Sequence, residues 1–271
     1  MQISRPIMSS STLRVAGMVA SLLTLFVLSG AGGCAHLAAL DSGALWQIVG
    51  NQCVPDARDT GRAAPCASVD LARRDAVLKD ISSHTQYLLI PTDRVSGIES
   101  PEILYAGAPE YWADAWAARR YVNAKLKTPL ADDRLGLEIN AVSERSQNQL
   151  HIHVDCMRED VISALAPYRH DAPDAWHTAE LNGRRYRIMR IMQLDERNNP
   201  FRVVARSLPD AGPHDRQQGM AAQTIFVTGA GADAGHDGWL LVNSSMGWQD
   251  GTGSAERLLD HTCGLARAPR R

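Results

Sequence analysis

The stretch SQNQLHIHVDC, residues 146–156, sets Gln149, His151, His153 and Asp155 at every second position, with Leu150, Ile152, Val154 and Cys156 between them. Alternate side chains of a β-strand point to opposite faces, so the apolar set enters a core and the polar set shares the other face. Asn140, on the strand expected just before, can join that face. Two imidazoles on one face of a strand stand about 7 Å apart. One can attack an electrophile while the other donates a hydrogen bond or proton, both can ligate a metal, or both can be structural. A neutral imidazole attacks phosphorus when its second nitrogen is held by an acceptor. Positioning and charge stabilisation then dominate. Asp155 reads equally as hydrogen-bonding support or as a direct participant.

The elements that must position these residues are legible from hydrophobic period. DAVLKDI and QYLLIPT read as strands separated by the turn SSHT, and RLGLEINA and NQLHIHVDC as two more. GAPEYWADAWAARRYVNAKL is the clearest helix, with Trp112 and Trp116 facing a sheet rather than a lipid surface. GALWQIVGNQCV and REDVISALAPY are shorter helices. RRYRIMRIM, FRVVARS, QTIFVTGAG and GWLLVNSS read as strands. SAERLLDHTCGL reads as a terminal helix capped by Ser254 and stopped near Gly264. The segment 209–219 reads as a mobile loop. Strands and helices alternate without a βαβ rhythm, so the expected class is α+β with a mainly antiparallel sheet and packed helices. His84, His170, His177, His214, His236 and His261 read as surface or loop residues.

The whole chain has 271 residues and a formal charge of −2, which gives no support to nucleic-acid binding. Arg5 and Arg14 precede an uncharged apolar run at about 15–33 that ends in small residues and Cys34. This is the form of an export signal, at the edge of the length that spans a bilayer. It is read as a signal or anchor segment over 1–40. Three outcomes stay open: cleavage, retention as an anchor, or lipidation at Cys34, although Ala31 stands where a lipobox usually has Leu. Residues 41–271 form the expected folded unit, with a core at about 70–160 and a β-rich C-terminal extension at about 180–271. Cys53, Cys66, Cys156 and Cys263 are an even set in an exported chain and imply two disulfides. Three pairings are possible. The favoured one joins Cys53 to Cys66 across a short loop and Cys156 to Cys263, pinning the C-terminus to the sheet.

QLHIHVDC resembles the histidine-triad (HIT) motif, in which histidines alternate with apolar residues. AVLKDISSHTQYLLIPTDRVSGI and LEINAVSERSQNQLHIH are similar to the segments that precede that motif, so the likeness covers roughly 70–160. Within that superfamily QYLLIPT, GIESPEIL, QNQLHIHVDC, the N-terminal apolar segment and the exported cysteines resemble the bacterial CDP-diacylglycerol pyrophosphatases. The resemblance implies a HIT-like fold with His151 as nucleophile on phosphorus and His153 hydrogen-bonding the phosphate and leaving-group oxygens. Gln149 stands where the triad has its first histidine. The family uses the backbone carbonyl there to orient the nucleophile, and a carbonyl survives the change. Lys79, Asp80, Ile81, Asn140 and Asn148 are carried over with Gln149 as substrate-binding positions. The implied substrate is CDP-diacylglycerol or a related nucleotide diphosphate, cleaved without metal or other cofactor on the periplasmic side of the inner membrane. The alternatives are a metal-dependent hydrolase of HxHxD type, which would need a histidine where Cys156 stands, and an exported nucleotide- or lipid-binding lipoprotein without activity. What residues 180–263 do is open; the expectation is that they extend the sheet and shape the lipid-side entrance.

Overall fold

A computed structural model describes residues 41–209 and 212–266. The apolar run at about 15–33 and Cys34 lie outside the described residues. Among those described, no helix is long and apolar enough to cross a membrane. After helix α1 (Ala44–Ile48), a π-helical turn at Val49–Cys53 leads into α2 (Val54–Thr60). Strands β1 (Ser68–Asp70), β2 (Asp75–Lys79) and β3 (Tyr87–Pro91) are followed by α3 (Tyr111–Asn123), β4 (Leu135–Ile139), β5 (Ile152–Cys156) and α4 (Glu159–Leu165). The rest is β6 (His177–Leu181), β7 (Arg184–Ile191), α5 (Pro200–Arg206), α6 (Pro213–Ala221), β8 (Gln223–Gly229), α7 (Ala234–Asp237) and β9 (Trp239–Ser245).

The nine strands of the described residues form one antiparallel sheet in the order β1-β2-β3-β5-β4-β8-β9-β7-β6, so the fold is α+β. The expected core and C-terminal extension are joined by the β4–β8 ladder, which extends the sheet with residues from beyond 180.

Two neighbouring rows across this sheet explain the site. One row runs Tyr87, Val154, Leu137, Val227, Leu241, Met189 and is apolar throughout. It carries the largest core, covered by α3 through Trp112, Ala115, Ala118 and Val122. The row on the other face runs Leu78, Leu88, His153, Glu138, Phe226, Val242, Ile188. Its two ends are apolar and its middle is polar. The Leu78 end packs under the N-terminal helices with Val49, Cys53 and Val54. The Phe226 end packs under α4 and the C-terminal segment with Val161, Leu165, Leu258 and Leu259. The polar middle therefore occupies the gap between two covering layers.

Several sequence expectations are corrected. FRVVARS is helical: Asn199 caps it by accepting from the Phe201 N–H at 3.0 Å, and Pro200 occupies the first turn. That cap outweighs the β preference of Val203 and Val204. Most of the 209–219 loop is α6, again begun by a proline, Pro213. SAERLLDHTCGL is not a helix but an extended strap with 3₁₀ turns at Glu256–Leu258 and Gly264–Ala266. Its backbone is used elsewhere: Asp260 N–H donates to the Cys156 carbonyl at 2.8 Å, and Leu259 bridges Met157. His177 lies in an unanticipated edge strand, joined to β7 by Asn182–Gly183, both at positive φ. Asn-Gly is the pair that such a two-residue hairpin turn prefers.

Candidate active site

Gln149 lies in a bend, and the regular strand begins only at Ile152. Leu150 N–H bonds the Val95 carbonyl at 2.6 Å and its side chain enters the core, so His151 keeps the alternation with Leu150 and Ile152. His151 Nδ1 lies 2.7 Å from the Gln149 carbonyl oxygen. Only a protonated Nδ1 can make that bond, which leaves the Nε2 lone pair free. Burial holds the His151 pKa below its usual value, opposed by the Gln149 bond, and nearby Arg145 adds to the lowering. His151 is therefore neutral at pH 7, the form that can act as a nucleophile.

The His153 ring lies 4.9 Å from that of His151. The Gln86 side-chain amide donates to His153 Nδ1, so the His153 proton belongs on Nε2. That nitrogen has no hydrogen-bond partner among the described residues and lies 3.5 Å from Glu138 Oε1. Burial, reinforced by the His151 and His261 charges, drives the His153 pKa well down. Glu138 beneath it is fully buried and its carboxyl is pushed well up, by burial first and Glu256 second. The floor of the site is thus two imidazoles held toward their neutral forms, over a carboxyl whose ionised form burial disfavours.

Asp155, also fully buried, accepts from Thr85 Oγ1 at 2.6 Å, the Cys156 N–H at 2.9 Å, His261 Nδ1 at 3.0 Å and Ser83 Oγ at 3.3 Å. The disulfides join Cys53 to Cys66 and Cys156 to Cys263. The second holds the C-terminal strap over the end of β5 and so presents His261 to Asp155. Glu256 completes the rim, with Oε1 3.6 Å from His261 Nε2 and 4.0 Å from His153 Nδ1.

The other sequence-predicted residues divide. Asn140 is buried on the site face and its amide reaches Glu138 Oε1 at 3.4 Å. The Gln149 side chain turns away and donates to the Pro91 and Asp93 carbonyls at 3.1 and 2.8 Å, so its part in the site is its own carbonyl. Lys79 is corrected: its register with Tyr87 puts it on the α3 face, opposite His153, and its ammonium is spent on the Asp80 and Ser83 carbonyls. Asp80 caps its own turn through Ser82, while its charge still reaches His151 and His261. Ile81 is fully exposed at the turn tip. Asn148 is tied to Ser42 and Arg145 in the loop before the site.

Sequence reasoning missed Gln86, Glu138, Arg145, Glu256 and His261. Arg145 forms a two-pronged pair with Glu99 at 2.5 and 2.9 Å, and its guanidinium fills the space where a side chain at Gly97 would sit. His261 had a usable signal. The favoured Cys156–Cys263 pairing already carries it to Asp155, one residue before Cys156. His84, His170, His177, His214 and His236 are exposed, as expected. Among the described residues no group of three or more His, Cys, Asp or Glu side chains is arranged to hold a metal.

A family model described as CDP-diacylglycerol pyrophosphatase matches residues 40–267. A protein of Yersinia pestis named CDP-diacylglycerol pyrophosphatase is 37% identical over 246 residues, covering 90% of this chain and 92% of that protein. With the match running through both the paired histidines and the C-terminal strap, the chain belongs to the CDP-diacylglycerol pyrophosphatase family of enzymes.

Proposed function

We propose that the protein hydrolyses the pyrophosphate bond of CDP-diacylglycerol to CMP and phosphatidate through a nucleotidyl–histidine intermediate, by HIT-type chemistry. The observation that carries this reading is the Gln149 carbonyl on His151 Nδ1. It supports a neutral imidazole whose Nε2 attacks the phosphorus of the cytidylyl group and expels phosphatidate. Water then cleaves the phosphorus–nitrogen bond and releases CMP. His153, with its proton on Nε2, serves the phosphate oxygens by hydrogen bonding. The family membership supports the substrate. The apolar segment near 15–33 or a lipidated Cys34 would hold the protein at the periplasmic face of the inner membrane, where a lipid substrate resides.

Release of CMP from CDP-diacylglycerol in mixed micelles, with and without EDTA, tests the reading in wild type and His151→Ala. Wild type is expected to turn over in EDTA, and the variant to lose at least a thousandfold. A cytidylyl adduct should be trapped on acid quench of wild type alone. Loss of activity in EDTA restored by a divalent metal would overturn it in favour of the HxHxD reading. Ligand binding without CMP release would point to a binding protein.

A further inference from the structure

We infer that His261, backed by Asp155, is a third catalytic histidine that carries the proton through both halves of the reaction. The inference rests on the covalent His151 reading above. Asp155 is held on every side: a hydroxyl from Thr85, a hydroxyl from Ser83, the Cys156 N–H and His261 Nδ1 all meet its two oxygens. A carboxylate fixed in this way aligns an imidazole and stabilises its protonated form. With Nδ1 committed to Asp155, His261 Nε2 points across the ring toward Glu256 Oε1, the same oxygen that faces His153. That oxygen lies 4.0 Å from His153 Nδ1, so the His261 and His153 rings flank one carboxylate at the rim of the site. The His261 side chain is 39% exposed, so water also reaches it.

The other two imidazoles cannot fill this role. Burial keeps both His151 and His153 neutral. The groups facing His261 are Asp155 on β5, Asp80 on the β2–β3 turn, and Glu256 and Asp260 on its own strap, with the His153 imidazole opposite on β5. The acidic set outweighs the imidazole and holds His261 above the usual histidine value, through the Asp155 bond first.

The two steps balance. In the first, the His151 Nε2–phosphorus bond forms, the bridging phosphorus–oxygen bond breaks, and the Nε2 proton of His261 passes to the departing phosphatidate oxygen. In the second, a water oxygen bonds phosphorus, the phosphorus–nitrogen bond breaks, and His261 Nε2 takes the water proton. The enzyme returns to its starting protonation state.

The test uses the full-length protein with His261→Asn, whose amide can still donate to Asp155 but has no second nitrogen, and with His261→Ala. Two substrates are compared: CDP-diacylglycerol and cytidine 5′-(2,4-dinitrophenyl phosphate), whose leaving group is a much weaker base than phosphatidate and needs no proton. With CDP-diacylglycerol, His261→Asn is expected to lose about 10²–10⁴-fold in kcat and the alkaline limb of the kcat–pH profile. With the dinitrophenyl ester the first turnover should fall less than tenfold, and the cytidylyl adduct should accumulate because its hydrolysis lacks a base. Added imidazole should restore part of the His261→Ala rate. Equal losses on both substrates with an unchanged pH profile and no rescue would overturn the assignment and leave His261 a structural residue. Wild-type rates in folded His261→Asn, beside an inactive His151→Ala, would also overturn it while leaving the His151 reading in place. An active His151→Ala removes the His151 reading itself. Should His261→Ala misfold, the Asn variant alone decides through the substrate comparison.

Discussion

Gln149→Ala separates the two jobs of the position where the family motif departs from histidine. The side chain donates to two backbone carbonyls, Pro91 and Asp93, at 3.1 and 2.8 Å, and is fully buried. Losing two such bonds costs about 2 kcal/mol, and the buried methylenes add roughly 1 kcal/mol. Against this, Gln149 Oε1 has no partner among the described residues, and removing a buried unpaired acceptor returns about 1 kcal/mol. The net destabilisation is about 2 kcal/mol, or roughly 4–8 °C in Tm for a domain of this size. The carbonyl on His151 Nδ1 belongs to the main chain and is untouched. Below the lowered Tm, kcat/KM for CMP release should therefore fall by less than tenfold. Thermal melts followed by circular dichroism and a CMP-release assay at 20 °C check both numbers. A thousandfold loss of kcat with unchanged Tm would refute the reasoning, because it would make the side chain a participant in the chemistry.

Asp75 is buried with an unpaired Oδ2, and burial, followed by the charges of Asp114 and Asp70, pushes its pKa up to about 7. Its folded value lies above its unfolded one, so the stability it contributes is full below about pH 4, lost as pH rises to about 7 and absent above. Asp75→Asn should match wild type near pH 4.5 and exceed it increasingly up to pH 7.5, by at most roughly 4 kcal/mol; denaturant melts showing a pH-independent difference would contradict this. Glu138→Gln replaces a buried carboxyl, whose ionised form burial disfavours, by a neutral amide. Stability at pH 7 should change by about 1 kcal/mol or less, with kcat within tenfold, and a larger loss would show that the site needs an ionisable group there. Removing the Cys156–Cys263 link, whose partners are 107 residues apart, by Cys156→Ala with Cys263→Ala should cost about 4 kcal/mol. It should also lower kcat at temperatures where the variant is folded, since the strap carries His261; full kcat in the folded variant would separate the link from the site.

Much of this enzyme was legible because it depends on local pattern. Alternation in QLHIHVDC forces Leu150, Ile152 and Val154 into one core and His151 and His153 onto the other face, whatever the neighbours are. The period of α3 likewise dictates that Trp112 is buried. Local signals were also present where the expectation failed: Asn199 and Pro200 begin a helix, and Asn182–Gly183 closes a hairpin. What tertiary structure alone decided is which distant residues share the polar gap. Lys79 lies only one residue before Asp80, yet strand register sends it to the α3 face. The Glu138 carboxyl is pushed upward because covering layers close on either side of it and bury it. His261 and Glu256 reach the histidines because the strap gives up helical bonds for bonds to β5 and a disulfide. Register and long-range pairing are properties of the assembled sheet, and no period within a single segment encodes them.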